Sequence, residues 1–261
     1  MNIHPLMPLA IVAAQKAAAA ILEIYASSFE VEHKADNSPL TLADQNAHNV
    51  IVKELASSQL PILSEEGAHQ PYEERSKWSA FWMVDPLDGT KEFVKRNGEF
   101  TVNIALIEDG KPVFGVIVVP VSGAVYAGGD GYGSFKYSPA NGDSLDAWRT
   151  RSAALPLVRD TPFTVVASRS HQTPDTEKYM ADLIAERGEP HYVSMGSSLK
   201  FCVVAEGRAE IYPRLAPTME WDTAAGQAIV MGVGKEVTDL KTGKPMRYNK
   251  ENLLNNWFEV K

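Results

Sequence analysis

Apolar residues Leu9, Val12, Ala13, Ala17, Ala20, Ile21 and Ile24 recur at helical spacing and predict a first helix over 8–29. A second is predicted over 42–57, anchored by Ile51, Val52 and Leu55. The period then changes. A short apolar run at 60–63 ends in acid, and 81–84 forms a compact strand closed by Asp-Pro and Asp-Gly turns. Two β-rich runs flank Asp109-Gly110 over 101–120 and predict a hairpin. A second strand pair follows over 124–137 around a Gly-rich turn. After an irregular stretch at 141–162 the chain alternates. A strand near 163–170, a helix over 176–187, a strand–turn–helix over 191–207, a strand near 209–215 and a helix start near 221–232 are predicted. Helices followed by meandering sheet, then alternating strand and helix, define a mixed α/β (α+β) layered arrangement. The irregular stretch divides it into an N-terminal α+β half, 1–145, and a C-terminal α/β half, 146–261.

Length and composition narrow the function. The 261 residues can bury a substantial core. A net charge of −8 repels polyanions, which argues against a nucleic-acid groove, and supplies carboxylates for cations. Cys202 is the sole cysteine, so no internal disulfide forms, which fits a reducing cytoplasm. The N-terminal apolar run is interrupted by Gln15 and Lys16, which predicts a packing helix rather than a signal or a bilayer span.

Four acidic clusters sit at element ends: Asp44, Glu65-Glu66, Asp85 with Asp88, and Asp222. Alone, most read blandly. Thr41 to Asp44 resembles a capping box, Asp222 suits a helix N-cap, and Glu65-Glu66 suits a solvated loop. The segment DPLDGT is harder to dismiss. Asp85 ends a buried strand, and a second carboxylate follows three residues later through a Pro-stiffened turn. Two such acids repel unless a cation lies between them, and oxygen-only ligands suit a hard divalent ion. The Leu87 carbonyl lies between them. Gly89 and Thr90 follow, where free backbone N–H groups at a helix start would face an anion.

SEEG, DPLDGT and WDTAAG, in that order, resemble the inositol monophosphatase superfamily of lithium-sensitive, magnesium-dependent phosphatases. TLADQNAH, VASRSH, GSSLKFC and IYPRLAPTMEWDTAAG resemble most its 3'(2'),5'-bisphosphate nucleotidase branch. The resemblance runs from about Ala17 to Gly232 and implies an αβαβα sandwich of two packed halves with the site between them. It implies removal of the 3'-phosphate of adenosine 3',5'-bisphosphate, giving AMP, a reaction that recycles a by-product of sulfur assimilation. It also implies two or three Mg2+ held by Glu65, Asp85, the Leu87 carbonyl, Asp88 and Asp222. Asp44 would bond Thr90, which orients the attacking water; with Glu65 these are the implied catalytic residues. Gly89, Thr90, His171, Ser197, Lys200, Arg214, Glu220 and Asp222 would contact substrate, Glu220 through a sugar.

By themselves Lys200 and Arg214 read as surface charge. An inositol or sugar-phosphate phosphatase shares every metal ligand and stays open. A non-catalytic nucleotide or metal sensor is the alternative from another class. The expected partner is a small phosphorylated nucleotide, with neither nucleic acid nor a transmembrane segment. A homodimer and peripheral attachment to the inner face of the membrane stay open.

Overall fold

The computed structural model describes residues 3–27, 39–68, 70–167 and 174–261. The first half contains α1 (Met7–Tyr25), α2 (Pro39–Leu55), β1 (Ile62–Ser64), α3 (Tyr72–Arg75), β2 (Ala80–Asp88) and α4 (Thr90–Val94). These are followed by β3 (Thr101–Glu108), β4 (Lys111–Val119), β5 (Ala124–Gly129), β6 (Gly133–Tyr137), α5 (Trp148–Arg151) and β7 (Ala153–Ala154). The second contains β8 (Thr164–Ala167), α6 (Pro174–Arg187), β9 (His191–Ser194), α7 (Leu199–Ala205), β10 (Tyr212–Arg214), α8 (Ala224–Met231), β11 (Val237–Asp239), β12 (Lys244–Pro245) and β13 (Phe258–Val260).

Strands β1 to β7 form one sheet in sequence order, with β1 parallel to β2 and every other pair antiparallel. Both faces are covered, so its central strands are near-continuous apolar runs. Along β2 the side chains alternate between two cores. Trp82 and Val84 pack with α1 and α2, whereas Phe81 and Met83 pack with α7 and α8. Gly115 on β4 lets α8 come close, since a Cβ there would overlap the backbone of Ala225. Beyond α7 and α8 lie a four-stranded sheet ordered β10-β13-β11-β12 and the parallel pair β8-β9, joined through a bridge between Val165 and Ile211. Helix α6 covers this outer layer through Leu183. The layers therefore run helix, sheet, helix, sheet, helix.

Three features differ from the sequence expectation. Strand β2 does not stop at Val84 but runs to Asp88, because a bulge absorbs Pro86. The first sheet extends past 145 to β7, a two-residue exposed strand with no apolar pattern to announce it. Helix α1, at 19 residues and mean hydropathy 1.5, is long and apolar enough to cross a bilayer by length and composition. Its Met7, Ala10, Ile11, Ala14, Ala17 and Ile21 are nevertheless buried in the core against α2 and the sheet.

Candidate active site

Parallel pairing of Ser64 with Val84 brings Glu65 level with Asp85, and the Glu65 N–H donates to Val84 O at 3.1 Å. On β2, Asp85 faces Asn103 while Asp88 faces Thr101, so three steps on one strand match two on the other. In a regular strand, residues three apart point to opposite faces. The extra bulge residue restores parity, so both carboxylates turn the same way. Pro86 fits there because a bulged position can dispense with an N–H donor. Leu87 donates its N–H to Asp85 Oδ1 at 3.0 Å. Gly89 then adopts φ +96°, which opens α4 at Thr90; a Cβ at Gly89 would overlap Ser197 Oγ.

The second half closes on this loop. Ser198 donates its N–H to Asp88 Oδ2 at 2.6 Å, and Ser197 Oγ donates to Glu99 O at 2.6 Å. Asp222 sits in a 3₁₀ turn at Glu220–Asp222, where its Oδ2 accepts the Met219 N–H at 2.9 Å.

These carboxylates interact strongly. Burial, then the charges of Asp88, Glu65, Asp222 and Asp44, push Asp85 well above the usual carboxylate range. Burial and Asp88 raise Asp222 to about 7. Burial with Glu66 and Asp88 raises Glu65 to about 7; it is the most solvent-open of the set, so solvent screens it most. Burial also raises Asp88, opposed by Lys200 and the Ser198 N–H. Asp44 rises to about 8 through burial, Glu66 and Glu65, and its buried Oδ1 has no hydrogen-bond partner among the described residues.

A hard divalent cation fits this donor set. The donors are all oxygens, and burial holds several carboxylates close enough to repel one another unless a cation lies between them. Among the described residues, no three acidic, His or Cys side chains yet close into a coordination shell. Their coupling is mainly through charge, with a side-chain hydrogen bond between Glu65 and Asp85.

Beside the carboxylates lies a cleft of about 140 Å3 lined by Asp88, Gly89, Ser197, Lys200, Arg214 and Asp222. Lys200 is buried rather than solvated. Its Nζ donates to Ser197 O at 2.8 Å and lies 5.8 Å from the Tyr212 ring centre, and burial lowers it to about 8 against the pull of Asp88. Arg214 donates through Nη2 to Pro217 O, while its Nε is buried without a partner among the described residues.

Of the residues expected from sequence, the structure brings Asp85, Asp88, Glu65, Asp44 and Asp222 within electrostatic range. It gathers Asp88, Gly89, Ser197, Lys200, Arg214 and Asp222 around one cleft. Thr90 lies exposed at the head of α4, and no hydrogen bond joins it to Asp44 among the described residues. Leu87 occupies the bulge. His171 lies outside the described residues. Glu220 is fully buried and held by Asn249 and Lys250, away from the cleft, which does not suit the expected sugar contact. Sequence reasoning missed Ser198, Thr101 and Asn103, which back Asp88: Ser198 Oγ donates to Asn103 Oδ1 at 2.7 Å and lies 2.8 Å from Thr101 Oγ1. Two polar residues inside the apolar run of β3 were the available signal.

A layered sandwich with a carboxylate-lined cleft between its halves defines a metal-dependent phosphatase scaffold, and the chain belongs to the inositol monophosphatase family, whose model matches residues 2–258. Within that family it is 45% identical to the 3'(2'),5'-bisphosphate nucleotidase CysQ of Escherichia coli K12, over 95% of this chain and 96% of the relative. The crystal structure of CysQ from Bacteroides thetaiotaomicron superposes with a TM-score of 0.89 at 52% identity, covering 97% of this chain and 95% of that one. Inositol monophosphatase II from Staphylococcus aureus MSSA476 shares the fold at TM-score 0.76 and 21% identity, covering 98% of this chain and 88% of that one.

Proposed function

We propose that this protein is a magnesium-dependent phosphomonoesterase that removes the 3'-phosphate of adenosine 3',5'-bisphosphate, yielding AMP and phosphate. The observation that carries the reading is the buried Lys200 beside Arg214 in the same cleft as Asp88 and Asp222. A substrate with two phosphates needs a cation site for each. The carboxylates would serve one through metal, and Lys200 and Arg214 would serve the other. The names of the CysQ relatives point to the same substrate class.

Glu65, Asp85, the Leu87 carbonyl, Asp88 and Asp222 would hold two or three Mg2+. Bound there, magnesium supplies Lewis acidity and lowers the pKa of water. The chain's own residues do the rest. Gly89 and the first backbone N–H groups of α4 would face the scissile phosphate. Thr90 would orient the attacking water, with Asp44 accepting from it once the orphaned Oδ1 is engaged. Ser197, Lys200 and Arg214 would fix the distal phosphate, and His171 would meet the nucleoside. A water-orienting pair has no use in a pure sensor, which favours catalysis.

We infer a division of labour between 1–145, which would bring most of the metal ligands, and 146–261, which would bring the nucleotide contacts. We infer a cytoplasmic enzyme, with the apolar face of α1 occupied by the core and the single thiol buried. The decisive experiment is phosphate release from adenosine 3',5'-bisphosphate beside inositol 1-phosphate, with and without lithium. Preference for the bisphosphate and inhibition by lithium are expected. Equal or greater turnover of inositol 1-phosphate would overturn the substrate assignment.

A further inference from the structure

We propose that Glu220 is a positioning residue, whose carboxylate fixes the turn that carries Asp222; the inference rests on Asp222 being a metal ligand. Residues two apart in a 3₁₀ turn project in different directions. Asp222 lines the cleft, whereas Glu220 points into the protein and is wholly inaccessible. Its Oε2 accepts the Asn249 N–H at 2.6 Å, and its Oε1 accepts the Lys250 N–H at 3.0 Å and Lys250 Nζ at 2.6 Å. Three donors, one of them charged, make a buried carboxylate tolerable and leave it little capacity for a ligand.

The segment that grips Glu220 is itself anchored. Arg75, buried on α3, donates Nη1 to Asn249 Oδ1 at 2.8 Å and Nη2 to Glu251 O at 2.7 Å. Asn249 returns its Nδ2 to Arg75 O at 2.7 Å. The main chain adds Glu220 N–H to Leu253 O at 2.9 Å, and Asn255 Nδ2 donates to Met219 O at 2.8 Å. The 249–255 stretch therefore clamps the Asp222 turn to the helix that follows the Glu65 loop. Loosening the clamp tilts Asp222, so the loss falls on cation affinity rather than on substrate affinity.

The test separates the two constants in Glu220→Gln and Lys250→Met. Lys250 does not line the cleft, so it reports the clamp without touching substrate. In Glu220→Gln the apparent magnesium activation constant is expected to rise about 10-fold or more, as for other groups that orient metal ligands, with KM for adenosine 3',5'-bisphosphate at saturating magnesium little changed. Lys250→Met shifts the same constant in the same direction, by less. As a readout independent of turnover, the rise in melting temperature at a fixed subsaturating magnesium concentration shrinks in both. A raised KM for the bisphosphate in Glu220→Gln, with magnesium activation and the melting shift as in wild type, would overturn the proposal in favour of substrate contact. Wild-type magnesium dependence in Lys250→Met would do the same, and decides the matter if Glu220→Gln does not fold. If the wild-type protein itself shows no magnesium-induced rise in melting temperature, the metal reading of Asp222 fails and the inference falls with it.

Discussion

The Ser198 N–H donates to Asp88 Oδ2 at 2.6 Å, so a backbone group from the second half of the chain holds a carboxylate supplied by the first. The bond is charge-assisted and partly offsets the repulsion that Asp88 meets from its acidic neighbours. Asp88→Asn removes the charge while keeping the shape. Turnover at saturating magnesium is expected to fall by on the order of 100-fold or more, roughly 3 kcal/mol of transition-state stabilisation. Steady-state phosphate release measures it, and near wild-type turnover would remove Asp88 from the metal set.

Ser198→Ala tests the same contact from the other side. The backbone N–H stays, and only the Oγ bonds to Asn103 and Thr101 are lost. Their buried acceptor Asn103 Oδ1 is left short of a donor, so stability should fall by about 1–3 kcal/mol in urea titration. Turnover of the folded variant should stay far closer to wild type than in Asp88→Asn.

Lys200→Ala separates the two phosphates of the substrate. If Lys200 binds the distal phosphate, its removal costs about 1.5–3 kcal/mol, or roughly 10- to 150-fold in KM for adenosine 3',5'-bisphosphate. KM for a simple phosphomonoester should barely move. Equal effects on both substrates would assign Lys200 to holding the Ser197 carbonyl instead.

The pH dependence of stability follows from the raised carboxylates. Asp44 at about 8, and Glu65 and Asp222 at about 7, bind protons more tightly when folded than when unfolded. Their contribution is fully present below the unfolded value near 4 and is lost as pH rises through 7 to 8. Metal-free protein should therefore lose melting temperature between pH 5 and 8. Magnesium, which needs the deprotonated ligands, should raise it more at pH 8 than at pH 5. Thermal scans in EDTA and in magnesium at both pH values check this; an equal magnesium effect at the two would contradict it.

Much of the site was legible because its chemistry is local. Asp85 and Asp88 lie in one hexapeptide, and repulsion between two acids on a buried strand end suffices to suggest a cation. What joins Glu65 and Asp222 to them is parallel pairing and a turn clamped from 249–255, neither of which leaves a periodic trace. Proline ordinarily closes a strand, so the sequence pattern ends β2 before Pro86, whereas the bulge carries it on to Asp88. Glu220 shows the converse. The family resemblance implies a sugar contact there, whereas the tertiary structure has its carboxylate already engaged by Asn249 and Lys250. The layering was legible from the order of helices and strands, whereas the two-residue β7 offered no pattern to read.

The close seat of α8 on the first sheet depends on Gly115. Its missing side chain lets the carbonyl and Cα of Ala225 lie where a Cβ would stand. The obstructing atoms are backbone, in a helix whose Ala224, Ala225, Ala228 and Ile229 are buried, so they cannot swing aside as a side-chain tip would. Gly115→Ala therefore pushes α8 away from β4, opening gaps around Ile229 while overcrowding the contact itself. The lower backbone entropy of alanine in a strand would favour it slightly, by under about 1 kcal/mol, and overpacking of about 1–3 kcal/mol outweighs that. The expected net result is a lower melting temperature. Since α8 begins at Ala224, two residues after Asp222, the shift should also weaken magnesium activation. A variant as stable as wild type, with unchanged magnesium dependence, would mean that α8 is not held against the sheet as tightly as its glycine seat implies.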